Sequence, residues 1–154
     1  MPIRPELRGL YPADWREISR QIRFGRAGGR CETCARPHGA VVCCLPDGRW
    51  FDPVTRAWRS GQGMVAVGPD AADSATIRWI RVVLATAHLD HDPTHNSAAN
   101  LRCLCQRCHL IHDRPYHRVR RWLTWRQRLA SGDLFLGAYD RLGPSGAGLV
   151  VAMG

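Results

Sequence analysis

Residues 82–114 read VVLATAHLDHDPTHNSAANLRCLCQRCHLIHDR, and this stretch carries most of the chemistry-bearing side chains of the 154-residue chain. A β-branched run ends at Asp90-His91, Asn100 follows after a short loop, and Cys108-His109 begins a helical pattern. Six of the seven histidines lie between positions 88 and 117. A carboxylate and a histidine at a strand end, with another histidine at a helix start, indicate a divalent-metal site with a neighbouring base.

Four of the seven cysteines form two Cys-x-x-Cys knuckles, Cys31–Cys34 and Cys105–Cys108. Each two-residue gap lets one tight turn aim both sulfurs at the same ion, so two knuckles predict a tetrahedral zinc site of four thiolates. Because 70 residues separate the knuckles, the fold must bring them together. Buried apolar thiols or a redox pair are the alternatives, but the chain shows no run of βαβ units, where redox pairs usually occur. The other three cysteines are expected to be small buried residues: Cys43, Cys44 and Cys103.

The charge of the chain is strongly positive, with 22 basic residues, all arginine, against 13 acidic ones and a net charge of +9. Guanidinium groups bind phosphate bidentately, so this surplus predicts a polyanionic partner, although composition bias also favours arginine. A hydrophobic content of 45% excludes wholesale disorder. No apolar run approaches the roughly 20 residues of a membrane helix, and the first residues lack the apolar core of a signal peptide. We therefore expect a cytoplasmic protein that contacts no membrane.

The regions before residue 88 give weaker signals. Trp15, Ile18 and Ile22 recur at helical spacing behind a turn and N-cap at Asp14, which predicts a helix. Two β-rich runs around Pro46-Asp47-Gly48 predict an additional hairpin over residues 40–52. We expect a mobile loop over 60–74 and one continuous core strand over 77–87.

The C-terminal region predicts a further helix, capped by Asp113 with Pro115 at its start and ending near residues 131–132. An apolar stripe and an arginine stripe lie side by side on its helical wheel. The apolar stripe consists of Val119, Trp122, Leu123 and Leu129, and the basic one of Arg114, Arg118, Arg121 and Arg128. The basic stripe is either a solvated face or a contact to the phosphate backbone of a nucleic acid.

The spacing within residues 82–114 resembles that of the HNH endonucleases, whose ββα-metal unit is a hairpin followed by a helix. The match consists of Asp90-His91, Asn100-Leu101 and Cys108-His109. Eight residues separate His91 from Asn100, and eight separate Asn100 from His109. The two cysteine knuckles are similar to those of small phage and actinobacterial members of this family.

The resemblance implies a metal-dependent DNA endonuclease. Asp90 and His109 would hold one Mg²⁺ or Mn²⁺, and His91 would be the general base that deprotonates the attacking water. Asn100 would brace the loop after His91, and the products would carry 5′-phosphate and 3′-hydroxyl ends. DNA would be contacted mainly at its phosphate backbone, by Arg107, Arg114, Arg118 and Arg121.

Four histidines are surplus to this pattern. His88 falls on the same strand face as Asp90, and His112 lies about one helical turn beyond His109, so each is open as an additional metal ligand. For His95 and His117 we expect ordinary surface or core positions.

The whole chain is therefore expected to be α+β, with a small ββα-metal core, a structural zinc, flanking helices and an additional hairpin. The expected organisation is an arm and helix over 1–30, a zinc-braced nuclease domain over 31–114 with its core at 82–114, and a basic helix and tail over 115–154. The protein would be a monomer or weak dimer. The main alternative is a catalytically silent, zinc-stabilised DNA-binding accessory protein. A thiol redox or metal-storage protein would explain the cysteines but would leave Asp90-His91 without a role.

Overall fold

The structure is a computed structural model that describes residues 5–130, and it divides into two compact units between His112 and Asp113. The fold is α+β, as predicted, with antiparallel sheets and helices. After a short 3₁₀ helix at Pro5–Leu10, the elements are α1 (Trp15–Arg20, continued in π geometry over Gln21–Arg26), β1 (Val41–Cys44), β2 (Trp50–Asp52), β3 (Ala57–Arg59), α2 (Ala71–Ser74), β4 (Arg78–Arg81), β5 (Leu84–His88), β6 (Leu101–Cys105) and α3 (Gln106–Ala130).

Strands β1 to β4 form an antiparallel sheet in the order β3-β2-β1-β4. The predicted hairpin is confirmed, because β1 and β2 flank the turn at Pro46-Asp47-Gly48. Gly48 has a φ of 98°, a left-handed conformation that glycine adopts without steric cost. The Leu45 N–H donates to the Arg49 carbonyl at 2.9 Å and closes the turn.

Strands β5 and β6 form a separate antiparallel pair, with Leu84 opposite Cys105 at one end and His88 opposite Leu101 at the other. Helix α3 begins at the residue after β6. One end of this hairpin, at Leu84 and Cys105, lies next to the start of α3. At the other end, residues 89–100 form the loop that connects β5 to β6.

The prediction of one strand over residues 77–87 is wrong, because the chain breaks between β4 and β5, which belong to different sheets. The Gln106 side chain satisfies the break: its amide donates to the Arg81 carbonyl at 2.7 Å and accepts from the Val83 N–H at 2.9 Å. Val82 exchanges backbone hydrogen bonds with residues 39–40. The backbone groups released by the break thus find partners from distant parts of the sequence, which a β-branched run cannot reveal.

Helix α1 packs with the spacing that the sequence predicts. Ile22 is buried in the core, and Trp15 and Ile18 pack partly buried against it. The Ser19 hydroxyl is 2.9 Å from the Thr86 hydroxyl, which joins this helix to β5. Other buried core residues come from both sheets and from the cysteine knuckles, among them Val42, Trp50, Val82, Leu84, Leu101 and Leu104.

The segment over 60–74, expected as a loop, contains the short helix α2, which Asp70 caps by accepting from the Asp73 N–H at 2.8 Å. Arg49 joins this segment to the hairpin. Its guanidinium pairs with Asp73 at 2.5 Å and donates to the Val67 carbonyl at 3.1 Å.

The second unit is described only over residues 113–130, which are helical. The predicted helix start at Asp113 is wrong, because α3 runs from Gln106 to Ala130 with Pro115 inside it. Proline removes one N–H donor and kinks a helix without having to end it, so the same sequence fits a start or an interior. The predicted apolar stripe is exposed, as are Arg114, Arg118 and Arg121. The predicted tail and the helix end near 131–132 lie outside the described residues.

Candidate functional site

The four knuckle cysteines form one buried cluster. Cys31 and Cys34 lie in the turn before β1, Cys105 ends β6, and Cys108 lies in the first turn of α3. The four sulfur atoms lie within 4.8 Å of one another, and those of Cys34 and Cys105 are 3.5 Å apart. Zinc–sulfur bonds of about 2.3 Å in a tetrahedron place the sulfurs about 3.8 Å apart. The cluster therefore fits a structural metal such as zinc, and all seven cysteines are free thiols.

Backbone and side-chain hydrogen bonds bring the two knuckles together. The Glu32 N–H donates to the Cys103 carbonyl at 2.9 Å, and the Cys103 N–H donates to the Glu32 carboxylate at 2.6 Å. Arg26 donates to the same carboxylate through Nε and Nη2, and its Nη2 also donates to the Leu101 carbonyl at 2.6 Å. These contacts align the first knuckle with β6, so that its sulfurs meet Cys105.

The proximity of the sulfurs also sets their affinities for protons. A hydrogen bond from the Cys108 thiol lowers the pKa of Cys105 to about 6, and the same contact raises the pKa of Cys108. Hydrogen bonds from the other three sulfurs, Cys105 first, lower the pKa of Cys31. A metal bound by these sulfurs would displace the protons that they carry.

Asn100 is the buried centre of the loop between β5 and β6. Its side-chain amide donates to the Asp90 carboxylate at 2.9 Å and to the His95 carbonyl at 2.8 Å. Its side-chain oxygen accepts from the Asp90 N–H at 3.3 Å. One side chain thus spans residues 90–95 and holds the backbone on both sides of His91.

The Asp90 carboxylate is exposed and charged. Hydrogen bonds from the Asn100 side chain and from the Asp92 N–H lower the pKa of Asp90 well below its usual value and outweigh the opposing effect of desolvation. The contact with the His95 ring lowers it further. The carboxylate therefore stays ionised through the physiological range.

His95 contacts the Asp90 carboxylate and is exposed, in keeping with the expected surface position. Its Nδ1 lies 2.7 Å from Asp90 Oδ2, and its Nε2 lies 2.9 Å from the Ser97 hydroxyl. Two successive turns bring the chain back toward Asp90. The Asp92 N–H donates to the Asp90 carboxylate, and the Thr94 N–H donates to the Asp92 carboxylate, both at 2.9 Å. The Asp-x-Asp-Pro-Thr text is a signal for such turns, and it could have placed His95 opposite Asp90.

His91 has a left-handed backbone, with a φ of 63°. Non-glycine residues adopt this conformation at a cost that the surrounding structure must offset, and they cluster at functional sites. The His91 ring stacks on the His112 ring, with centroids 4.7 Å apart, and their ligand nitrogens lie within 4.8 Å. His112 Nε2 is 3.3 Å from the His88 carbonyl, which can only accept, so this nitrogen carries the proton.

His88 is engaged by aromatic neighbours. Its ring stacks on Trp15 at 5.1 Å with 14° between the planes and meets the edge of Tyr11 at 5.8 Å. Its Nε2 is 2.9 Å from the Asn96 side-chain oxygen. Burial raises the pKa of the Tyr11 hydroxyl. The arrangement fixes the ring against the α1 region.

His109 is half-buried in the first turn of α3, next to Cys108. In residues 5–130, neither Asp90 nor His109 falls within a cluster of three or more close histidine, cysteine or carboxylate groups.

Arg107 is half-buried, and its guanidinium lies against Gly48 and Gly61. A Cβ at Gly48 would collide with it, and one at Gly61 would lie 3.0 Å from its Nη1. Arg107 therefore packs on the β1–β2 turn, while Arg114, Arg118 and Arg121 are exposed in the second unit.

Comparison with known proteins gives no assignment of function. No family model, curated protein or solved structure matches the chain. Among the described helices, none combines the length and apolar character needed to cross a bilayer.

Proposed function

We propose that the chain is a metal-dependent DNA endonuclease of the HNH type, in which Asp90 and His109 hold one Mg²⁺ or Mn²⁺ and His91 is the general base. The observation that supports this most strongly is the loop between β5 and β6. Asn100 clamps residues 90–95, and the left-handed backbone of His91 brings its ring against His112. Strain of this kind at a histidine beside an ionised carboxylate is typical of a functional site.

His91 and His112 would have different roles in hydrolysis. His91 would take a proton from the water that attacks the phosphorus, the general-base role that histidine most often fills in enzymes. His112, tied by its Nε2–H to the His88 carbonyl, gives the His91 ring a fixed surface to stack on. The cation would stabilise charge on the phosphate and the leaving 3′ oxygen. The products would be 5′-phosphate and 3′-hydroxyl ends.

The cysteine cluster would hold a structural zinc in this proposal. Four thiolates leave no open coordination position for substrate. Because Cys108 precedes His109 in the first turn of α3, the same metal would orient the helix start that presents the cation-binding imidazole. DNA would be held mainly through its phosphates by the exposed residues Arg114, Arg118 and Arg121, with Arg107 contributing from its place over the β1–β2 turn.

A second candidate is a zinc-stabilised DNA-binding protein without cleavage. The contact between His95 and Asp90 favours it, because His95 Nδ1 lies 2.7 Å from an oxygen that a cation would need. In an enzyme, His95 would have to move away from Asp90 Oδ2 before a cation could bind this oxygen.

A plasmid assay separates the two candidates. The purified chain is incubated with supercoiled plasmid in Mg²⁺, Mn²⁺ or EDTA, beside a mock purification. The endonuclease should nick the plasmid only with a divalent metal, and His91→Ala should slow this about 10²-fold or more while DNA binding in Ca²⁺ is kept.

The matched control is His117→Ala, an exposed histidine 4.0 Å from Asp113 in the second unit. It should cut as fast as wild type. Binding without cleavage by wild type in every metal would favour the silent accessory protein, and equal rates for His91→Ala and wild type would remove His91 from the mechanism.

A further inference from the structure

Arg36 is a buried cation beside the cysteine cluster, with only 3% of its surface exposed. Its Nη1 donates to Cys34 Sγ at 3.2 Å, and its Nη2 lies 3.7 Å from Cys44 Sγ and donates to the Gly48 carbonyl at 3.0 Å. Within the described part of the chain, the guanidinium pairs with sulfur rather than with a carboxylate. Arginine is almost never buried unless its charge is paired.

A metal bound by the four cysteines would create the negative charge that pairs with the Arg36 guanidinium. Four thiolates around a divalent ion carry a net charge of about −2, a large charge for a buried site. The Arg36 guanidinium would bring one positive charge to within hydrogen-bond distance of one of the four sulfurs. Cys34 also accepts the backbone N–H of Arg36, so this sulfur receives two hydrogen bonds from one residue.

We infer that Arg36 is a positioning residue of the cysteine metal centre: its guanidinium neutralises half of the net charge and tunes the donor strength of the Cys34 sulfur. This inference rests on the metal proposed above for the four cysteines and is independent of DNA cleavage. Groups that hydrogen-bond to metal ligands commonly change metal affinity 10- to 100-fold.

The β1–β2 hairpin supplies the surroundings that hold Arg36 in place. The guanidinium lies 5.3 Å from the centre of the fully buried Trp50 ring and is anchored on the Gly48 carbonyl of the hairpin turn. Cys44, at the end of β1, provides the second sulfur contact. This hairpin thus acquires a role: it carries the groups that fix the cation against the metal centre.

Cobalt substitution of the full-length chain provides the test. Tetrahedral Co²⁺ bound to thiolates has a sulfur-to-metal charge-transfer band, whose energy rises when hydrogen bonds stabilise the sulfur electrons. Arg36→Met should move this band to lower energy, and it should weaken Zn²⁺ binding about 10-fold or more in competition with a chromophoric chelator. Arg36→Lys, which keeps the charge without the planar fork, should fall between wild type and Arg36→Met.

The control is Arg49→Met, because Arg49 follows Gly48 in the same hairpin but its guanidinium bonds to Asp47 and Asp73. Its cobalt band should match that of wild type. If Arg36→Met does not fold, the band of Arg36→Lys decides the question.

An unshifted band with unchanged zinc affinity in the Arg36 variants would overturn the role of Arg36 alone. A wild-type chain that binds no tetrahedral Co²⁺ would overturn the metal centre itself, and with it this role. The two failures are distinguishable because the wild-type titration precedes every variant.

Discussion

The two ends of the β5–β6 hairpin are built in different ways. The cysteine end, defined by Cys31, Cys34, Cys105 and Cys108, is buried, and one backbone and one side-chain hydrogen bond between Glu32 and Cys103 align it. The histidine end, defined by residues 88–100 with His112, is largely exposed and depends on the side-chain hydrogen bonds of Asn100 and Asp90. The first end contributes to the core of the first unit, and the second presents polar groups to solvent. Changes at the cysteine end should therefore affect folding, and changes at the histidine end should affect chemistry.

The largest expected effect is loss of the metal that we propose for the cysteine end. Cys105→Ser removes one of four ligands, and a structural zinc of this kind contributes on the order of 10 kcal/mol to folding. We expect Cys105→Ser, or wild type treated with a strong chelator, to lose cooperative thermal unfolding measured by circular dichroism.

The control for that prediction is Cys103→Ala, which removes a buried sulfur outside the cluster from the same strand. It should cost only about 1–2 kcal/mol. Chelator-treated protein that unfolds as cooperatively as untreated protein would contradict a metal-dependent core.

Removing Asn100 tests whether the histidine end is specialised for chemistry. Asn100→Ala deletes the three hydrogen bonds that hold Asp90 and the His95 carbonyl, so the proposed DNA cleavage should fall about 10²-fold while stability falls by about 1–3 kcal/mol. Plasmid nicking rates and thermal unfolding of the same preparation give the two numbers.

The matched variant is Asn96→Ala, another loop asparagine, which contacts His88 and the Pro93 carbonyl. Its cleavage rate should fall much less. If Asn100→Ala unfolds the chain as completely as Cys105→Ser does, the proposed division between the two ends is wrong.

The cysteine end could be predicted from sequence because its signal is local. Two residues between cysteines define a turn, and the stereotyped chemistry of thiolates and zinc supplies the partner knuckle. What the sequence did not reveal is Arg36. Its burial depends on Gly48 and Trp50 from the hairpin, so only the folded chain brings the three together.

The histidine end could be predicted only in part. Asp90 and Asn100 follow and precede strands as expected, whereas the partner of Asp90, His95, is set by successive turns whose geometry depends on Asn100. The break after β4 escaped prediction for a similar reason, because Gln106 satisfies it from another element. Long-range side-chain bonds to backbone leave no periodic pattern in a sequence.

The pH dependence of stability tests whether the buried carboxylate of Asp52 supports the cysteine end. Asp52 is fully buried, and Arg59 at 2.9 Å and Arg30 at 3.5 Å pair with it, so it braces the residue before Cys31. Burial alone would raise the pKa of Asp52, but the Val54 N–H and the Arg59 guanidinium outweigh it and lower the pKa below 3.8. A carboxyl with a lowered pKa contributes stability above its unfolded pKa, and this contribution is lost as pH falls.

We therefore expect Asp52→Asn to cost about 1–3 kcal/mol at pH 7, with the difference from wild type shrinking as the pH falls below about 4. Urea unfolding of both proteins at several pH values measures this. Asp47→Asn, which removes an exposed carboxylate from the same hairpin, is the control and should cost less than 1 kcal/mol. A difference that grows toward acid would reverse the sign and contradict the pairing.

The smallest effect concerns backbone strain at His91, whose φ of 63° is left-handed. His91→Ala and His91→Gly both remove the imidazole and its contact with His112, so the difference between them isolates the backbone. A left-handed conformation costs an L-residue about 1–2 kcal/mol, while glycine loses about 0.5–1 kcal/mol of extra unfolded-state entropy. His91→Gly should therefore be more stable than His91→Ala by up to about 1 kcal/mol in thermal unfolding.

The same pair at His95, which is not among the left-handed residues of the described chain, should show the opposite order. If alanine is the more stable residue at both positions, the loop relaxes without its histidine, and the strain at this end of the hairpin is imposed by the His91 side chain rather than by Asn100.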